Sequence, residues 1–201
     1  MNKNKINEKK LSKIFVTRLK EMNIVNDPFQ LEAEVPVPYQ HVYLPSSSKQ
    51  HHKMDIWCYN QDIAIFLKLV DKDSIKREYF IKNNNNEPLV DIQIQSDKKK
   101  GNKNVDIGLP YVIIELKVGQ PNTHDILAYN QKCAMIKTVF PFCHYIFLVH
   151  GEIAPRTYRY GVNFDEIIEM KDINEITLLK EKIVYHFNEA KKKLKNMELG
   201  K

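Results

Sequence analysis

Two charged side chains stand at the end of an apolar run, Tyr111-Val112-Ile113-Ile114-Glu115-Leu116-Lys117. The run is mostly β-branched and reads as a strand. Period two puts Glu115 and Lys117 on one face with Ile113, and Val112, Ile114 and Leu116 on the other. A carboxylate and an ammonium in such surroundings are costly to desolvate unless they are paired or used. The chemistry they could support is that of a hard divalent cation with a lysine beside it, because Mg²⁺ takes oxygen ligands, typically one or two carboxylates plus water. A second acid is required, and two candidates precede Glu115: Asp106, in Asn104-Val105-Asp106-Ile107-Gly108, and Asp91, in Pro88-Leu89-Val90-Asp91-Ile92. If the basic turn near Lys103 closes one long hairpin, Asp91 falls across from Glu115. If Gly108-Leu109-Pro110 is a tight turn, Asp106 lies close to it and faces Glu115 only through a bulge or an irregular strand. Both remain open, and a plain Glu–Lys pair at a sheet margin is the competing reading of the same strand.

The elements that must position these groups follow from periodicity. Leu11, Ile14, Phe15, Leu19 and Met22 give the segment from Glu8 to Asn23 a helical apolar face, ended by Asp27-Pro28. Glu32 to Tyr43 reads as extended, with Pro36 and Pro38 restricting it to an edge or a non-ladder segment. Met54 to Tyr59 and Ile63 to Val70 read as two strands about a turn at Asn60-Gln61. Glu78 to Lys82 is a short strand candidate, Asn83 to Asn86 a polar loop, and Leu89 to Gln95 an alternating strand. After the Glu115 strand, Asn122 or Thr123 can cap a helix running to about Val139, which Pro141 stops. Phe142 to Val149 is almost wholly apolar and predicts a central buried strand. A loop carrying Arg156 and Arg159 leads to an amphipathic helix from Ile176 to Leu194. Strands before the middle helix can form an antiparallel meander, and the strand after it lies parallel in the same sheet, giving a mixed sheet flanked by helices.

Composition narrows the class. The 201 residues are 43% hydrophobic, which suits a single domain over 1–201 with a proper core. The net charge of +6 is compatible with a polyanionic partner without requiring one. Cys58, Cys133 and Cys143 lie far apart, with no zinc spacing, as buried thiols of a reducing compartment would. The charged start has no apolar segment behind it and no run is long enough to span a bilayer, so the expectation is a cytoplasmic or nuclear protein without membrane association.

Asp106 followed by Glu115-Leu116-Lys117 resembles the motif of the PD-(D/E)XK nucleases, the superfamily of restriction endonucleases and related repair and recombination nucleases. The stretch from Gly108 to Lys117 is similar to their catalytic hairpin, and the order of elements is similar to their αβββαβ core. The likeness covers roughly Leu89 to Gly151. No proline immediately precedes either aspartate, and the spacing from Asp106 to Glu115 is short for the family. The resemblance implies a restriction endonuclease-like α/β fold and hydrolysis of DNA phosphodiester bonds. It implies that the aspartate and Glu115 hold Mg²⁺ or Mn²⁺, with the Ile114 carbonyl and waters completing the shell. Lys117 would then orient or deprotonate the attacking water, a role suited to a depressed pKa. The enzyme would act as a homodimer or with a partner subunit, since one site cuts one strand. The alternative is the same fold with a degraded site that grips DNA or a partner protein without cutting. Of the surrounding residues, Gln131 and Lys132 could contact a phosphate together with Tyr129, and a solvated helix face is the favoured reading of the two. His124 reads as part of the cap. Arg156, Tyr158, Arg159 and Tyr160 could meet a DNA backbone or pack on their own domain. His51-His52 beside Asp55 lack a third spaced metal ligand, and Asp55 reads as part of a structural strand pair.

Overall fold

The computed structural model describes residues 7–44, 52–70, 90–96 and 107–199. Helix α1 (Glu8–Glu21) is started by Asn7, whose side chain accepts from the Lys10 N–H at 2.8 Å, and it buries Leu11, Phe15 and Leu19. Strands β1 (Phe29–Leu44) and β2 (His52–Val70) follow, then β3 (Val90–Ser96) and β4 (Ile107–Val118). Helix α2 (Thr123–Val139) leads into β5 (His144–His150). A short helix α3 (Pro155–Tyr160), strand β6 (Glu166–Met170) and the long α4 (Ile176–Leu199) complete the chain. The result is an α/β arrangement around one open mixed sheet. The sheet runs β1-β2-β4-β5-β6, with β3 attached to β2 beside that path.

β1 pairs antiparallel with β2 along nearly its whole length, and as the edge strand it carries Pro36 and Pro38 without breaking an interior ladder. The far edge of β2 is divided. Its first part, His52 to Cys58, pairs with β3 in parallel, and its last part, Ile63 to Val70, pairs with β4 antiparallel. Between them, Tyr59 to Asp62 pair with neither. β4 and β5 are parallel, as are β5 and β6, and β5 is buried on both faces as its unbroken apolar run requires.

Side chains of β4 alternate between two cores. Val112, Ile114 and Leu116 join Leu11, Phe15, Leu19, Leu179 and Ile183 under α1 and α4. Ile113 joins Tyr145, Phe147, Cys133 and Ile136 under α2. Glu115 and Lys117 continue the α2-facing row.

Three expectations need correction. No turn occurs at Asn60-Gln61, since β2 passes straight through as one strand. β3 lies against β2 rather than β4, and Asp91 is the register partner of Lys53, so no hairpin brings it across from Glu115. The loop after β5 contains α3 and β6. Asp106, His51, the lysines 98–100 and Lys103, and the segments Glu78 to Lys82 and Asn83 to Asn86 lie outside the described residues.

Candidate functional site

The β2–β4 ladder ends at the pair Ile63–Ile114. One step further brings Asp62 alongside Glu115. The Leu116 N–H, which has no β2 carbonyl left to bind, donates instead to Asp62 Oδ2 at 2.9 Å. A carboxylate thus closes the ladder where the strands part, and it does so beside Glu115. Asp62 is the acid that sequence reasoning missed. The polar run Tyr59-Asn60-Gln61-Asp62 between two apolar runs looked like a hairpin turn. Its signal was the apolar run beginning at Ile63-Ala64-Ile65, which leaves Asp62 as the last polar residue before a buried strand segment.

Glu115 is only 3% exposed. Lys132 of α2 reaches its Oε1 at 3.2 Å. The Tyr145 hydroxyl lies 3.3 Å from its Oε2 and 3.1 Å from Gln61 Oε1, sharing one hydrogen between them. Burial pushes the Glu115 pKa up from 4.5 to about 7, and the charge of Asp62 adds to the rise. Lys132 and Tyr145 pull the other way without cancelling it. A buried acid raised by a second acid beside it is the electrostatic state that a divalent cation relieves.

Lys117 is held elsewhere. Its ammonium sits 3.4 Å from Glu8 Oε1 and 3.3 Å from Asp125 Oδ2. Glu8, on the first turn of α1, also accepts from the Val118 N–H at 3.3 Å. Asp125 forms the capping box of α2 with Asn122, at 2.8 and 3.2 Å. His124 is exposed and takes no part in that box. Burial would lower the Lys117 pKa, but Glu8 and Asp125 outweigh it and the net shift is upward. The depressed pKa expected from sequence is therefore not found, and Lys117 is a firm ammonium.

The four carboxylates Glu8, Asp62, Glu115 and Asp125 all act on one hydroxyl, that of Tyr129, whose pKa is raised first by burial and then by these charges. Two ammoniums, Lys117 and Lys132, answer them. With all four acids ionised, four negative charges against two positive leave an excess of two. Among the described residues no three His, Cys, Asp or Glu side chains form a ready-made metal cluster. What stands together instead is the carboxylate pair of Asp62 and Glu115, the kind of oxygen donor that a Mg²⁺-type ion commonly accepts alongside water.

Two backbone carbonyls flank Glu115, those of Ile114 and Leu116. The Leu116 N–H points to β2, so by strand geometry the Leu116 carbonyl and the polar groups of Ile114 point there too. Ile114 is paired with Ile63, whereas Leu116 stands past the last pair of that ladder.

Of the remaining candidates, Lys132 enters the site while Gln131 is exposed. Arg156 donates to the Pro121 carbonyl at 3.4 Å, tying α3 to the β4–α2 turn, and Tyr158 and Arg159 are exposed beside it. Asp55 is buried within the sheet. No helix among the described residues is long and apolar enough to cross a membrane. No protein-family model matches the chain, and no curated protein matches it.

Proposed function

We propose that this chain is a divalent-metal-dependent DNA nuclease of restriction endonuclease-like fold, with Asp62 rather than Asp106 or Asp91 as its first acid. The observation that carries the reading is Asp62 and Glu115 side by side where the β2–β4 ladder ends, with Lys117 two residues on. The order helix, three strands, helix, parallel strand supports it, given by α1, β1, β2, β4, α2 and β5 with β3 inserted. Asp62 and Glu115 would hold Mg²⁺ or Mn²⁺. When bound, the ion supplies charge neutralisation at the scissile phosphate and acidifies a water. Lys117, kept protonated by Glu8 and Asp125, stabilises negative charge developing on the phosphoryl oxygens and does not act as the base. One such site cuts one strand, so cleavage of a duplex calls for a second copy or a partner subunit.

The test is supercoiled plasmid incubated with purified protein and Mg²⁺ or Mn²⁺. Nicking is expected, abolished by chelation and lowered at least about 10²-fold in Asp62→Asn and Lys117→Met. Nicking that persists in Asp62→Asn would remove Asp62 from the site. Metal-independent retardation of DNA without nicking would support the non-cutting module instead.

A further inference from the structure

The Lys132 ammonium meets three groups at once. Its ammonium touches Glu115, and it also lies 5.3 Å from the ring centroids of both Tyr59 and Tyr129. Each of those rings is itself backed by another aromatic ring. Tyr59 is stacked on Tyr39 at 3.9 Å and 15°, and Tyr129 packs against Phe147 at 5.5 Å. Tyr129 and Lys132 are three residues apart on α2 and so share a helix face. Both ring faces thus attract the Lys132 ammonium beside the carboxylate that it touches.

We propose that Lys132 is the resident counter-ion of the acid pair, competing directly with the divalent cation for Glu115 and yielding that carboxylate when the cation binds. The proposal rests on the metal-site reading above. Lys117 cannot serve in this way because its ammonium is bound by Glu8 and Asp125. An ammonium and a divalent ion on the same buried carboxylate repel each other strongly, since screening by water is weak there. Occupancy by Lys132 thus lowers the affinity of the site for metal while keeping Glu115 compensated in the metal-free protein.

Mn²⁺ binding to the full-length chain, measured by titration calorimetry at pH 8.5, tests this without reference to cleavage. Lys132→Met keeps the stem beside the tyrosine rings and removes the charge, and Lys132→Gln is a second uncharged variant should the first fold poorly. Wild type should bind one Mn²⁺, and Glu115→Gln should lose it. Both Lys132 variants should bind Mn²⁺ roughly five- to tenfold more tightly, the range for release from a partly buried ion pair. Equal or weaker binding in the Lys132 variants, with wild type still binding, overturns the counter-ion role alone. Absence of saturable binding in wild type overturns both that role and the metal site.

Discussion

Replacing Glu115 with glutamine should stabilise the metal-free protein. The unfolded chain ionises this carboxyl near 4.5, whereas the folded protein holds it to about 7. A folded pKa raised above the unfolded one means full stability below the lower value, lost as pH climbs through the upper one. At 1.36 kcal/mol per pH unit the rise corresponds to about 3 kcal/mol by pH 8. Glutamine has nearly the same shape, still accepts from Tyr145, and carries no charge to bury. Glu115→Gln in a chelating buffer should therefore exceed wild type by up to about 3 kcal/mol at pH 8, shrinking to below about 1 kcal/mol at pH 5. For a chain of this size that is a Tm gain of about 6–12 °C. Mg²⁺ at a thousand times its Kd should reverse the ranking, because an ion that binds only the folded wild type then stabilises it by about 4.1 kcal/mol. Urea or thermal denaturation with and without Mg²⁺ reads both effects. A Glu115→Gln protein less stable than wild type at pH 8 without metal would mean that the Glu115–Lys132 pair is a structural ion pair. The argument that this site gives up stability for binding would then fail.

Two further perturbations probe the frame that holds the site. His144 is buried with Nδ1 2.8 Å from His186 Nδ1, and His186 Nε2 is 2.7 Å from Glu166 Oε2. Burial chiefly lowers the His144 pKa to about 4, so its contribution is present above pH 6.5 and lost as pH falls toward 4. That contribution is at most about 3 kcal/mol. It runs opposite to Glu115 over the same window, so it is read as a difference: wild type should lose more stability than His144→Gln between pH 7.5 and 4.5, and equal losses would refute it. Gly151 has φ of +153°, and a Cβ there would meet the Gly119 Cα at 3.0 Å, whereas one on Gly119 (φ +80°) would meet nothing. Gly151→Ala should cost about 2 kcal/mol or more by urea denaturation and Gly119→Ala about 1 kcal/mol, from backbone strain alone. The reverse order would show that the close approach of the two turns is relieved easily.

Elements whose signal is local were legible in the sequence. The prolines of β1 marked an edge or a non-ladder segment, the apolar run of β5 marked a buried strand, and Asn122 or Thr123 marked the start of α2. Glu115 and Lys117 were legible because period two alone puts them on one face. Asp62 was not, because its partner Leu116 is 54 residues away, and pairing across that span is fixed by the sheet rather than by neighbouring residues. The same holds for Asp91. Alternation identified β3 as a strand but carried no information on which neighbour it would join. Lys132 was read as solvated because one helix face can hold both a solvent-facing Gln131 and a lysine whose stem runs inward along tyrosine rings.

The placement of Asp62 has a consequence for any test of the site. A strand that outlasts its partner leaves a backbone N–H in a low-dielectric interior, and an unmet donor there costs about 1–3 kcal/mol. Asp62 meets that of Leu116 with one carboxylate oxygen, so the residue that would bind the cation also ends the ladder. Removing it altogether would part the strands and displace Glu115, and a dead Asp62→Ala protein would say nothing about metal. Asparagine retains an acceptor oxygen for the Leu116 N–H and removes only the charge. The contrast between Asp62→Asn and Asp62→Ala therefore separates the two duties: stability of Asp62→Asn at or above that of metal-free wild type, with loss of Mn²⁺ binding, assigns the charge to the cation. A further loss of about 1–3 kcal/mol in Asp62→Ala assigns the oxygen to the sheet.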